Sequence, residues 1–542
     1  VARETSDICG VTVIDQTLTR RTAIGGAVAA GAAAALTTAT PAHAASATDP
    51  QIHAAVEPAV VLDAGPAGLL SADPLLHLLR RATFGPSPAS IAEIRRLGAT
   101  AWLDRQLNPA AIGDPVVDGL LARLPLSGLS IGEIHAKVAA GQLRQFAWEP
   151  MWQLSFAAPI RAIWTERQLY EVMVDFWSNH LNVTCPAGDV WDSRTDYDRN
   201  VIRKHALGTY ANLLKASARH PAMLTYLDNR YSTRLSPNEN YGRELLELHT
   251  VGMGYTERDV KEAARLLTGL TVDRTTGAYR YDAANHAVGP VQVLDFTHAN
   301  ATTTGGEAAA LALFDHLALH PATARRIATK LCVRFVADEP PATLVTKLVK
   351  VYLDNRSAIV PVLRALFTSP EFAASIGAKT RTPLEDLAAT VRILGYGPPP
   401  SGTKTFESFY VMARNAGQAP LAWGPPNGYP DVATAWASPS GLLARWNSHL
   451  SIAAGYWPAD LVKPANLLTG MIGATPATYG ALIDATATRL LGTTLDEGQR
   501  AALAAFYGKT PASLLKYNDP AVGWMYPYLM AMLLNSPTFA LR

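Results

Sequence analysis

The sequence predicts a mainly α protein, a multi-helix globular array with at most a small β-hairpin. Three observations carry this. Apolar residues recur at three- and four-residue steps through most of the chain from Pro74 onward. Helix starts are well marked: Ser236-Pro237-x-Glu239, Thr256-x-x-Asp259 and Thr382-Pro383-x-Glu385 each place a hydroxyl at the N-cap and an acid three residues on. Strand signals, by contrast, are few. With 49% apolar and 17% charged residues over 542 positions, the chain can bury a large core and is not disordered as a whole.

From the N-terminus, residues 1–44 read as a targeting segment. Thr19-Arg20-Arg21-Thr22 precedes a weakly apolar Ala/Gly run from Ala23 to Ala35, and Pro41-Ala42-His43-Ala44 supplies an A-x-A-like cleavage site. Paired arginines before such a run predict a twin-arginine signal, hence a secreted or cell-envelope protein. The run is too short to span a bilayer, which takes ~20 apolar residues, and no later stretch looks transmembrane. Residues 45–72, rich in Ala, Pro and Asp, read as a linker. A main helical domain is expected over 73–396, a long loop over 397–440, and C-terminal helices packing on the main domain over 441–542.

Within the main domain, Pro74–Thr83, Pro88–Leu97 and Ala99–Leu107 are short helices separated by Gly or Pro. Arg161–Leu181 reads as one longer helix, because Leu169, Val172, Met173, Phe176 and His180 hold helical spacing. Further helices are predicted near 198–206, 209–218, 237–249, 257–268, 307–319, 322–336, 341–353, 357–368 and 383–394. Others follow near 440–455, 476–491, 495–507 and 524–534. The expected hairpin pairs Gly277–Asp282 with Val291–Phe296. Cys185 and Cys332 either form one disulfide in an oxidising compartment or stay as two buried thiols.

The order of four blocks, FWSNHLNV (Phe176–Val183), NENYGRELLELHTVG (Asn238–Gly252), GYTERDVKEAARLLTGL (Gly254–Leu270) and LALHPATARRIATKLCVRFV (Leu317–Val336), resembles the bacterial domain-of-unknown-function family numbered 1800. With the C-terminal LLNSPTF, the resemblance covers most of the chain from about Leu75. It implies a large, mainly helical, often exported protein and names no reaction. The family usually places a His-Asp pair and a Gly-x-Lys pattern after the LTG block. Here Asn285-His286-Ala287-Val288-Gly289-Pro290-Val291 keeps the histidine and glycine but lacks the acid and the lysine. The usual C-terminal Gly-Trp is likewise replaced, by WGPPNGYPDVATAW.

Formal net charge is +2, too close to zero to argue for nucleic acid or an anionic membrane as partner. No Gly-x-Ser-x-Gly elbow, dinucleotide fingerprint or P-loop occurs, which argues against serine-hydrolase and nucleotide chemistry. The densest ionisable segment is Ser236–Gly252. On a helical wheel, Glu239, Asn240, Arg243, Glu244 and Glu247 share an arc of roughly 140° opposite Tyr241, Leu245 and His249. Such a face is either a solvated, ion-paired surface or one wall of a site. Neighbouring carboxylates raise one another's pKa while Arg243 lowers them, which separates an acid from a base. Glu239, as the capping-box acid, is discounted.

A second row, Glu171, Asp175 and Asn179, lies on the Arg161–Leu181 helix with His180 beside it. If the two helices face each other, Asp175 and His180 join the carboxylates in an interhelical pocket. Trp177 and Trp191 are candidates to stack on a sugar ring, and core packing is the competing role. The reading is a secreted hydrolase acting on an extracellular polymer, most plausibly a polysaccharide. Glu244, Glu247 and Asp175 are its catalytic candidates, and Asn240, Arg243, His180, Trp177 and His286 its substrate-binding ones. Carboxyl separation then distinguishes retention from inversion, at ~5 Å against ~6.5–9.5 Å. No cofactor is expected. The alternatives are a metal-dependent enzyme loaded before export, although neither helix carries a Glu-x-x-His pair, and a non-enzymatic envelope or assembly protein.

Overall fold

The computed structural model describes residues 69–542. The targeting segment 1–44 and most of the 45–72 linker therefore lie outside the described residues. What is described is mainly α: helices dominate, and the β-structure is limited to two antiparallel two-stranded sheets. One hydrophobic core runs from Leu78 in the first described helix to Phe539 near the last. No described helix is long and apolar enough to cross a membrane.

Several elements stand where sequence periodicity puts them, among them Tyr210–Ala218, Glu257–Leu267, Pro321–Phe335, Pro383–Leu394 and Pro439–Ala454. Thr256 and Thr382 cap their helices with the reciprocal boxes read from the sequence. Other elements differ, each for an identifiable physical reason. The predicted Arg161–Leu181 helix is two, Glu149–Trp164 and Gln168–His180. Asp114 causes the break, accepting from the Thr165 hydroxyl and from the Glu166 backbone N–H at 3.2 Å. The Gln168 amide then donates at 3.0 Å to the freed carbonyls of Ala162 and Thr165.

The expected loop 397–440 contains a helix, Lys404–Asn415, which packs against Glu149–Trp164 through Phe406, Phe409 and Tyr410. The Gly/Pro-rich flanks masked its three-and-four spacing. The strands pair locally rather than with each other: Leu270–Val272 with Tyr279–Tyr281, and Val291–Val293 with Phe296–His298. The Asp273 carboxylate accepts from the N–H groups of Thr275 and Thr276, and this closes the first turn before a longer connection competes. Cys185 and Cys332 are both buried and unpaired.

The polar helix also starts and ends differently. Its N-cap is Asn238, not Ser236, with the side chain accepting from Asn240 and Tyr241 N–H; Glu239 is exposed and forms no capping box. The α-helix runs Glu239–Glu244 and then continues as π-helix over Leu245–His249. Thr250 closes that turn by donating its hydroxyl to the Leu245 carbonyl at 2.6 Å. π-turns occur frequently at functional positions.

Six side chains from distant segments meet at the base of this assembly. Arg334 pairs with Glu385 at 2.7 Å and Asp431 at 3.5 Å. Arg542 reaches the same two acids at 2.7 and 3.5 Å. Lys379 pairs with Asp338 at 2.5 Å and Asp431 at 3.2 Å. Burial opposes ionisation of both Glu385 and Asp431, but the cations outweigh it and hold both below the usual carboxylate range.

Close helix crossing elsewhere depends on Gly242. A Cβ there would stand 2.7 Å from the Val260 carbonyl and 3.1 Å from the Ala264 nitrogen. Gly242→Ala is expected to destabilise the protein by about 1–3 kcal/mol through forced separation of the two helices, read as a lower urea midpoint.

Candidate functional site

The Gln168–His180 helix meets the π-turn only at its C-terminal end. His180 Nε2 lies 3.2 Å from the His249 carbonyl and 3.0 Å from the Tyr210 hydroxyl, and its Nδ1 lies 3.1 Å from Lys330 Nζ. An ammonium can only donate, so Nδ1 accepts from Lys330 and Nε2 carries the proton toward the His249 carbonyl. Burial first, then Lys330 and His249, push the His180 pKa well below its ordinary value, so the ring is neutral. Burial with Lys330 and Arg326 holds His249 down at about 3, and its Nε2 has no hydrogen-bond partner among the described residues. Burial and then Arg326 lower Lys330 to about 8, against a smaller opposing pull from Asp431. An amine in that range exchanges protons near neutral pH.

Asp175 does not join Glu244 and Glu247. It stands five residues before His180, about 7.5 Å back along the helix axis, and the charged groups around it are Arg334, Glu385, Asp431 and Glu171. Burial raises its pKa to about 6, with Arg334 pulling the other way. Asn179, one turn on, donates to the Asp175 carbonyl at 2.9 Å and accepts from the Tyr429 N–H at 3.1 Å. It thereby holds the 423–431 segment over this end of the helix. Gly428, at φ +72°, is seated where a Cβ would collide with the Asn179 carbonyl.

Glu244 and Glu247 lie on the other side of the π-turn. Glu244 is half-buried, and no side-chain hydrogen bond or ion pair reaches it among the described residues. Burial and the neighbouring Glu247 raise its pKa, and Arg243 offsets them only in part. Arg243 does not bridge the two acids. Its guanidinium is held in a two-pronged pair by Glu257 at 2.6 and 2.7 Å. Glu247 accepts the Tyr255 hydroxyl. Tyr226 lies close enough for Glu244 to raise its pKa, after burial itself, and it donates at 2.5 Å to the Gly424 carbonyl, next to Trp423.

The remaining candidates fall elsewhere. Asn240 is exposed at the helix start, with its amide 3.4 Å from the Leu227 carbonyl. Trp177 is fully buried, donates to the Ala206 carbonyl at 2.9 Å and stacks on Tyr210, so it has no free face for a ligand. His286 is buried between the Thr268 carbonyl at 2.8 Å and Asn300 Oδ1 at 2.7 Å, a bracing position in the β-region away from the acids. Trp191 belongs to a different, polar depression with His135 and Tyr231. Among the described residues, no three His, Cys, Asp or Glu side chains come together in a way that would hold a metal ion.

Sequence reading missed Lys330 and Asp431. The signal for the first is visible afterwards: Arg326, Lys330 and Arg334 recur every four residues along one side of their helix, among Ile327, Leu331 and Phe335.

Because the folded Asp175 pKa lies above its ordinary 3.8, the native state binds the extra proton between about pH 4 and pH 6. Stability contributed through this group is therefore lost as pH rises across that window, by an amount on the order of 3 kcal/mol. Asp175→Asn removes the dependence. Urea denaturation from pH 4 to 8 is expected to show the variant gaining on the parent up to about pH 6 and then a constant difference.

Comparison with protein families matches residues 77–541 to the family described as "Protein of unknown function (DUF1800)". Neither a comparison with curated proteins nor one with solved structures finds a match. The match spans the chain from the first described helix to the penultimate residue of the sequence, and the protein belongs to this family of unknown function.

Proposed function

We propose that the protein is a hydrolase of an extracellular polymer, a polysaccharide foremost, and that Glu244 and Glu247 are its acid–base pair. The observation that carries this is Glu244. It is a half-buried carboxyl with a raised pKa beside a second carboxylate, and no described side chain neutralises it. Glu385, Asp431 and Glu257 are each ion-paired, and Glu244 is not. An acid left unpaired at a cost in desolvation is what proton donation to a leaving group requires. Glu247, which accepts the Tyr255 hydroxyl, serves as the base in this reading, and Tyr226 lies near Glu244. Asp175 leaves the catalytic set, because its surroundings are those of the buried ion network. The paired arginines and the A-x-A-like site support export by the twin-arginine route as part of the same reading.

Lys330 favours a second assignment of the base. Its amine is lowered to about 8 and hydrogen-bonded to His180. The two assignments separate cleanly by mutation.

Release of reducing ends from a panel of bacterial and plant polysaccharides is the direct assay. Glu244→Gln is expected to lose about 10²–10⁴-fold in kcat and to abolish the basic limb of the pH profile, with the fold intact by circular dichroism. Full activity in that variant on a substrate the parent cleaves sinks the assignment. Loss in Lys330→Met together with retention in Glu247→Gln moves the base to Lys330. For export, Arg20→Lys with Arg21→Lys is expected to leave the protein in the cytoplasmic fraction; normal export of that double variant removes this part of the reading.

A further inference from the structure

A cavity of about 540 Å3 lies away from the acid pair. It opens between the helices Pro74–Ala82, Pro88–Leu97, Pro383–Leu394 and Tyr479–Leu491. Its walls are apolar, with Ile91 and Met471 among them, but four arginines interrupt them: Arg80, Arg95, Arg381 and Arg489. No carboxylate lines it. The acids that act on these arginines do so from outside the lining. Asp73 stands 4.0 Å from Arg95 and also bears on Arg80, while Asp386 and Glu385 bear on Arg381. Asp386 is already held by His449 at 2.8 Å.

The arginines pay for this placement. Burial lowers Arg80 to about 10, and burial lowers Arg381 to about 10 with Arg80 adding repulsion. Burial lowers Arg489 as well. Arg80 is 5% exposed; its Nη2 donates to the Leu491 carbonyl at 2.9 Å, whereas its Nη1 is buried with no hydrogen-bond partner among the described residues. A buried guanidinium N–H without an acceptor, in a cavity with surplus positive charge, calls for an anion. The apolar walls call for a hydrocarbon body behind it, and the volume suits a small molecule.

We infer that this cavity binds an amphiphilic anion, a carboxylate or phosphate monoester on an apolar tail, with Arg80 and Arg489 at its head. The site is separate from the Glu244 pair and does not depend on its function.

The test is calorimetric titration of the full chain with decanoate, decyl phosphate, decanol and acetate, all below micellar concentrations. Saturable one-to-one binding of decanoate or decyl phosphate, at least tenfold tighter than decanol or acetate, is expected, and the preferred anion identifies the headgroup. Arg489→Gln and the cavity-filling Ala485→Trp are each expected to weaken binding at least tenfold at unchanged melting temperature, because both positions are only half-buried. Glu244→Gln is expected to bind as the parent does. No saturable binding, equal affinity for decanol, or binding unmoved by Ala485→Trp overturns the inference.

Discussion

The arrangement of this protein depends on the buried ion network of Arg334, Glu385, Asp431, Arg542, Lys379 and Asp338. Its members come from sequence positions more than two hundred residues apart, and each cation touches two acids. Three cations meet three carboxylates directly, with the buried Arg81 guanidinium bearing on the same acids, and removing one member leaves a buried charge uncompensated. That asymmetry, on the order of 3–5 kcal/mol for a broken pair, makes the network a constraint on register more than a source of net stability. A slide of the Pro321–Phe335 helix by one turn would take Arg334 away from both acids together.

The same helix carries the constraint to the π-turn. Arg326 and Lys330 lie two turns and one turn before Arg334, on the same face. With Arg334 fixed, Lys330 has one place to go, against His180 Nδ1, and Arg326 donates to the Leu248 carbonyl at 3.1 Å inside the π-turn. The lowered pKa of Lys330 is thus a consequence of register: the network draws the helix so far inward that its middle cation loses water without gaining a carboxylate of its own. Asp431 links the two ends, because it anchors the network and bears on Lys330, while its neighbour Tyr429 is fixed to Asn179.

Helix type and most helix positions were legible in the sequence, because three-and-four spacing and threonine capping boxes are local signals, and Thr256 and Thr382 behave as read. The break at Thr165 was not legible, since its cause is Asp114, some fifty residues earlier. The Lys404–Asn415 helix was hidden for the opposite reason: strong turn residues on both sides outweighed Phe406, Phe409 and Tyr410. At the candidate site, the sequence singled out Glu244 and Glu247 and led to the expectation that like charge would raise one carboxyl; burial, the larger cause at Glu244, was not legible in it. It placed Asp175 beside them only because the wheel has no axial coordinate. His180 reaches the π-turn, and Asp175 lies too far back along the helix to follow. Trp177 illustrates the limit of composition: an indole near acids resembles a sugar platform until its N–H is found donating to a core carbonyl.

The fate of Arg243 explains why the acid pair stays unpaired. Four-residue spacing offered it Glu239 or Glu247 within its own helix, pairs worth only a few tenths of a kcal/mol on an exposed face. Glu257, at the start of the next helix, offers both oxygens to the guanidinium plane in the geometry arginine favours. The crossing that brings Glu257 there is the close one permitted by Gly242, whose neighbours belong to that same second helix. The glycine therefore sets the charge state of the site indirectly. By letting the helices approach, it lets Glu257 hold the Arg243 guanidinium, so that Arg243 offsets only in part the burial and the Glu247 repulsion that raise the Glu244 pKa. In this fold, unpaired acidity at the surface is a product of helix packing beneath it.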